Sequence, residues 1–209
     1  MPVHHTKRSV SQSVSPPPAD WLSFIPPSRH ALIVGAGPNG KPFHKSAPPD
    51  CFLIALNSAI VLPWPWHVWM VFDLGAKNYP WFKTRTAAVR LFGYDLSRTS
   101  AHHFNFQYMP TIQAVGDLSP GILHGGASIA GCAIQFAHLV GCDRITLLGI
   151  DQFGDRHFDG TIGAPKHYGK PWSTIKPLEK VIRIVNARGS TVDSLSKTKL
   201  SIPHITVVT

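Results

Sequence analysis

The chain has 209 residues, 44% of them hydrophobic, enough for one real core. Lys and Arg number 20 against 11 Asp and Glu, for a formal net charge of +9, and Glu179 is the only glutamate. That balance favours polyanions or phosphorylated ligands over cationic ones, and no apolar run approaches the roughly 18 residues that a membrane-spanning helix requires.

Residues 1–27 are rich in Ser, Pro, His and basic side chains and lack the apolar content to order themselves. A disordered arm is expected there. It either touches the domain through Trp21, Phe24 and Ile25 or docks on a partner subunit of an oligomer. The N-terminus has no apolar core of a secretory signal. Cys51, Cys132 and Cys142 form no CxxC pair, which fits free thiols in a reducing compartment. A cytoplasmic protein is the expectation.

Residues 28–209 read as one α/β domain, Rossmann-like, with a mostly parallel sheet flanked by helices. Ala31-Leu32-Ile33-Val34 is a short buried strand running into Gly35-Ala36-Gly37-Pro38-Asn39-Gly40. That string matches GxGxxG, the dinucleotide fingerprint. Context argues against NAD: Pro42, Pro48 and Pro49 break the helix that must follow, and Leu56-Asn57 stands where an acidic residue is needed. The remaining reading is a glycine loop whose backbone approaches a phosphate or nucleotide, involving Gly35, Gly37, Pro38 and Asn39. Residues 51–56 form a second strand ending at Asn57, either a turn former or a ligand contact. Residues 69–72 form a third, ending at Asp73. Residues 79–91 read as a helix, 93–110 as irregular and aromatic, and 111–115 as a further strand.

The richest stretch is Gly121–Gln152. Gly125 and Gly126 free the backbone, Ser128 caps a helix, and Ile129, Cys132, Ala133, Phe136, Leu139 and Val140 follow helical spacing. Gly141 stops the helix. Ile145–Leu148 is a strand buried on both faces, and Gly149-Ile150-Asp151 ends it. In open α/β sheets ligands bind beyond the carboxyl ends of strands. Asp151 projects there, as does the start of the helix with its free N–H groups. The alternative is an ordinary αβ unit with a solvated Asp. After a polar loop, 172–185 reads as a helix despite Pro177, followed by a strand at 191–195.

This order of small residues and Ser128, small apolar helix, Gly, short strand and Gly-Ile-Asp resembles the core of a Rossmann-like group. That group comprises the motility accessory factor proteins and the archaeal 6-hydroxymethylpterin pyrophosphokinase-like domain. The bacterial lipo-oligosaccharide sialyltransferases share much of the pattern. The likeness covers roughly Ala31 to Asp151, extending more weakly to Tyr168. Asn39 stands where these families carry Ser, and Ala36 where the sialyltransferases tend to carry Asn. The resemblance implies a polar strand end, Asn57, close to a nucleotide. It also implies that His167, in the pair His167-Tyr168, is a general base on an acceptor hydroxyl. A histidine suits that task because it titrates near neutrality.

Three functions follow as expectations. The first is a nucleotide-dependent transferase, glycosyltransferase-like, that takes a nucleotide sugar and an acceptor. Its catalytic residues are His167 and Asp151. Its donor contacts are Gly35, Gly37, Pro38, Asn39, Asn57, Asp73, Gly125, Gly126, Ser128 and Tyr168, and Arg156, Lys166 and Lys170 offset phosphate charge. The second is a phosphoryl or pyrophosphoryl transferase with Mg²⁺ held through water by Asp73 and Asp151, although these carboxylates could equally bond loop amides. The third is a protein that binds or modifies nucleic acid, resting on charge and aromatic content. The pair His102-His103 lacks metal-ligand spacing, and no structural metal is assigned.

Overall fold

A computed structural model describes residues 26–43, 45–71, 78–84, 90–93, 103–105, 123, 128–152, 157, 158, 160 and 172–205. The strands are β1 (His30–Val34), β2 (Phe52–Leu56), β3 (Val68–Val71), β4 (Arg90–Gly93), β5 (His103–Asn105), β6 (Arg144–Leu148) and β7 (Thr191–Ser194), and the α-helices are α1 (Ile129–Leu139) and α2 (Trp172–Ala187). The seven strands form one sheet in the order β5-β4-β3-β2-β1-β6-β7. Every neighbouring pair is parallel. The α/β class is therefore as expected.

The chain steps outward from β1 to β5, then returns past β1 to lay down β6 and β7. Parallel crossovers are right-handed, so connections made in the two directions fall on opposite faces. Alternation within β1 shows the consequence. Ala31 and Ile33 face one core with α1 and α2, while Leu32 and Val34 face a second. Both described α-helices thus cover a single face. The other is closed by 3-10 turns at Pro38–Phe43, Asn57–Val61 and Pro80–Thr84 and by Trp64, Trp66 and Trp69. Prolines explain the substitution. Pro42, Pro63, Pro65 and Pro80 remove N–H donors and fix φ, so short turns replace helices there. Trp64 and Trp66 stack at 5.3 Å, and the fully buried Trp69 donates its Nε1–H to Asn57 O at 2.9 Å. Truncating such a ring costs about 3–5 kcal/mol.

The Ser128 cap forms as read, its Oγ accepting from Ala130 N–H at 3.3 Å, and Gly141 takes φ +99° at the helix end. Helix α2 buries Leu178, Val181, Ile182 and Val185 at helical spacing and carries Pro177 within it. Two expectations fail. Where a helix was expected over 79–91, the described residues form a 3-10 turn at Pro80–Thr84 and strand β4 from Arg90, since Pro80 starts a tight turn and Arg90–Gly93 pairs with β3. The irregular stretch 93–110 contains β5, a three-residue edge strand with too short a pattern to read. The strand expected at 111–115 and the arm up to residue 25 lie outside the described residues. None of the described helices is long and apolar enough to cross a membrane.

Candidate functional site

The strand order places a topological switch between β1 and β6. The loops leaving their carboxyl ends run to opposite faces, and in open α/β sheets ligands bind at such a point. Gly35, Gly37 and Asn39 follow β1, and Gly149 and Asp151 follow β6. The two loops are laced together. Gly35 N–H donates to Leu148 O at 2.8 Å, Gly37 N–H to Gly149 O at 2.7 Å, and Asn39 N–H to Asp151 Oδ2 at 2.9 Å. Such close approach requires glycine at Gly37. A Cβ there would stand 2.6 Å from both the Asp151 carboxylate and Gly149 O. Phe158 N–H also donates to Ala36 O at 2.8 Å, tying Phe158 to the β1 loop.

The expected glycine loop is thus present at the expected edge, with a different division of labour. The N–H groups of Gly35, Gly37, Asn39 and Gly40 all donate within the protein. The glycines permit contact between two loops, and these four N–H groups are engaged before any phosphate arrives. Pro38 opens the following 3-10 turn.

Asp151 is 3% exposed, so it is no solvated surface residue. Burial pushes its carboxyl up to about 6, with the Asn39 amide and the Ser196 hydroxyl acting in the opposite sense. Its Oδ1 is sealed from water and has no hydrogen-bond partner among the described residues. Ser58 Oγ, one residue past Asn57 at the end of β2, is the other such atom. A buried polar atom without a partner costs about 1–3 kcal/mol. Two at one edge of a sheet call for an explanation, such as a buried water, an ion or a ligand donor. Asn57 adopts φ +49°, a left-handed conformation that asparagine tolerates better than most residues.

A third segment, unread in the sequence, braces this edge. Beyond β7, Ser196 Oγ accepts from Gly149 N–H at 2.8 Å, and Thr198 Oγ1–H donates to Ile150 O at 2.7 Å. Lys199 N–H donates to Asp151 O at 3.0 Å, and Asn39 Nδ2–H to Lys197 O at 3.1 Å. The only sequence signal was the polar run Ser196–Lys199 shortly after β7. Ser58 was signalled more weakly still, by its place beside Asn57.

The edge therefore gathers Gly35, Gly37, Pro38, Asn39, Asn57 and Asp151, and Ser128 heads the helix packed beneath β1, β2 and β6. Asp73, Gly125, Gly126, Arg156, Lys166, His167, Tyr168 and Lys170 lie outside the described residues. Among the described residues no group of three or more His, Cys, Asp or Glu is arranged to hold a metal ion. Compared with protein-family models, curated proteins and solved structures, the chain matches none of them.

Proposed function

We propose that this chain is a nucleotide-dependent transferase, glycosyltransferase-like, whose donor binds at the carboxyl edge between β1 and β6. The observation that carries this reading is the buried, half-paired carboxylate of Asp151 at the switch point of a parallel sheet. Open α/β sheets bind their ligands at such a point. An ionised carboxylate offers acceptors only, so its free oxygen suits a hydroxyl or amine of a nucleoside or sugar. With the β1-loop donors engaged, the phosphate falls to the start of α1 and to the basic loop.

In this reading His167 takes the proton of an acceptor hydroxyl while the bond from the sugar's anomeric carbon to the nucleotide phosphate breaks. Arg156, Lys166 and Lys170 offset the charge on the departing phosphate. Gly125, Gly126, Ser128 and Tyr168 flank the donor, and Asn57 and Asp73 complete the edge. The likeness to the sialyltransferases supports these roles. A second reading follows from the same carboxylate and from the likeness to the pterin enzyme. In it Asp73 and Asp151 hold Mg²⁺ for phosphoryl or pyrophosphoryl transfer.

A thermal-shift panel of CMP, CMP-sialic acid, UDP-sugars, ATP and duplex DNA, each with and without Mg²⁺, separates these readings. Stabilisation by a cytidine or uridine nucleotide without metal is the expected result, and it should be lost or halved in Asp151→Ala. Stabilisation by ATP with Mg²⁺ alone moves the assignment to phosphoryl transfer. A response to DNA alone, steeply weakened by salt as phosphate contacts require, replaces both with nucleic-acid binding. No response to any nucleotide would end the transferase reading.

A further inference from the structure

The opposite, amino-terminal edge holds a second constellation. The chain turns at Asp50, φ +57°, and Cys51 follows just ahead of β2. Cys51 Sγ lies 3.6 Å from Nδ1 of His30, the first residue of β1. The other ring nitrogen, Nε2, lies 2.8 Å from Thr146 Oγ1, and Thr146 Oγ1 donates in turn to Asp193 Oδ1. Arg144 Nε–H donates to Asp193 Oδ2 at 3.4 Å.

Proton accounting fixes the state of this chain. An ionised Asp193 only accepts, so the Thr146 proton points to it. Thr146 Oγ1 must then accept from His30 Nε2–H. A neutral imidazole with its proton on Nε2 has a bare lone pair on Nδ1, and that lone pair faces the thiol. Nucleophile, base and an oriented second ring nitrogen are the elements of an activated nucleophile. Cys51 also lines a cleft of about 370 Å³ together with Pro27, Pro48, Pro49, Pro65 and His67. All three cysteines are buried: Cys51, at 8% exposure, borders the cleft from the second core, while Cys132 and Cys142, at 0% and 2%, sit in the helix-covered core.

We infer that Cys51 and His30 form a second, thiol-based site at the amino-terminal edge, and that its substrate class is a small-molecule disulfide. Thiol–disulfide exchange is the chemistry that asks least of this cleft. Four of its ten lining residues are prolines without an N–H, and the Leu53 N–H is committed to His67 Nδ1 at 3.0 Å. Acyl transfer needs converging donors for an oxyanion. Thiol–disulfide exchange does not. Cys51 Sγ attacks one sulfur of R–S–S–R, the substrate S–S bond breaks, and a Cys51–S–S–R bond forms. The thiol proton passes to His30 Nδ1 and then to the departing thiolate, giving R–SH. Cys51 is oxidised to the mixed disulfide as the departing half is reduced to thiol, and no other co-reactant is needed.

The resting pair is neutral. Burial, opposed by Arg144 and reinforced by Asp50, raises the Cys51 thiol. Burial and Arg144 lower His30, against the opposing pull of Asp193 and Asp143. With its value lowered from 6.5, His30 is therefore neutral and available as a base at pH 7 and above. This site is independent of the nucleotide reading.

The test treats full-length protein with bis(2-hydroxyethyl) disulfide, a small neutral probe, from pH 5 to 9, and maps adducts by peptide mass spectrometry. One adduct is expected on the folded protein, at Cys51, with Cys132 and Cys142 modified only after unfolding. The rate should climb below pH 6.5 and stay flat near pH 7–8, where an unassisted thiol gains tenfold per pH unit. His30→Asn should slow the reaction at least tenfold at pH 7 and restore the steady climb. Thr146→Val should give a smaller loss at the same residue. Cys51 left unmodified in the folded protein would overturn the assignment, as would a wild-type rate that climbs tenfold per pH unit. The wild-type profile decides the matter even if His30→Asn does not fold.

Discussion

Asp151 turns its burial into a pH dependence with a definite sign. Its carboxyl rises from 3.8 to about 6 on folding. A raised carboxyl binds its proton more tightly in the folded chain. Its contribution to stability is therefore full below pH 3.8 and is lost as pH rises through about 6. A gap of roughly two units corresponds to about 3 kcal/mol. His30, His67 and His138 act in the opposite sense. Burial lowers each, first among its causes, so the stability they confer is present above 6.5 and is lost on acidification. A wild-type curve mixes these effects, and the difference from Asp151→Asn isolates one. The substituted side-chain amide would keep an acceptor for the Asn39 N–H without a charge to bury. Urea denaturation from pH 3.5 to 8 should show the variant gaining on wild type, by up to about 3 kcal/mol, as pH rises to 7. Parallel curves would mean that Asp151 does not carry this burden.

At the level of elements, the carboxyl edge depends on three loops, and the one after β7 has no glycine to announce it. Ser196 satisfies the amide of Gly149, which sits at φ +64° with its carbonyl 2.7 Å from Gly37 N. Ser196→Ala leaves that buried N–H without its acceptor and should destabilise the protein by about 1–3 kcal/mol in urea denaturation. It should also weaken ligand binding at the edge, because the β6 loop presents Asp151. A variant equal to wild type in both stability and affinity would show that the brace is dispensable. The short elements of the other face follow the same logic. Prolines forbid helices between β1 and β2 and between β2 and β3, and tryptophans supply the apolar area that a helix would otherwise bring.

For the whole molecule, the two proposed sites lie at opposite edges of the sheet, and hydrogen exchange can tell them apart. A nucleotide at 100 times its Kd should stabilise the folded state by about 2.7 kcal/mol. Its protection should concentrate at residues 35–40, 149–152 and 196–199, with 48–53 unchanged. Protection confined to 48–53 would place the ligand in the amino-edge cleft and remove the switch-point site. Net charge of +9 acts at this scale too, steering anions toward the protein without choosing the edge at which they dock.

Sequence alone determined the elements whose signals are local. Strands β1, β2, β3 and β6 are continuous apolar runs because both faces are buried. Helix α1 has its cap at Ser128 and its stop at Gly141, and α2 has its apolar stripe. The rejection of a dinucleotide helix after Gly40 was legible from prolines. Asp151 was placed at the right edge because a strand's end is written in its own residues. Only tertiary structure decided the rest. The order of strands makes β1 and β6 neighbours across more than a hundred residues, and that adjacency seals the Asp151 carboxylate and engages the glycine-loop amides. The same adjacency brings Cys51, His30, Thr146 and Asp193 into one chain of contacts. Strands β4 and β5 went unread because four and three residues carry too little periodicity, and pairing with a neighbour supplies what their own sequence lacks.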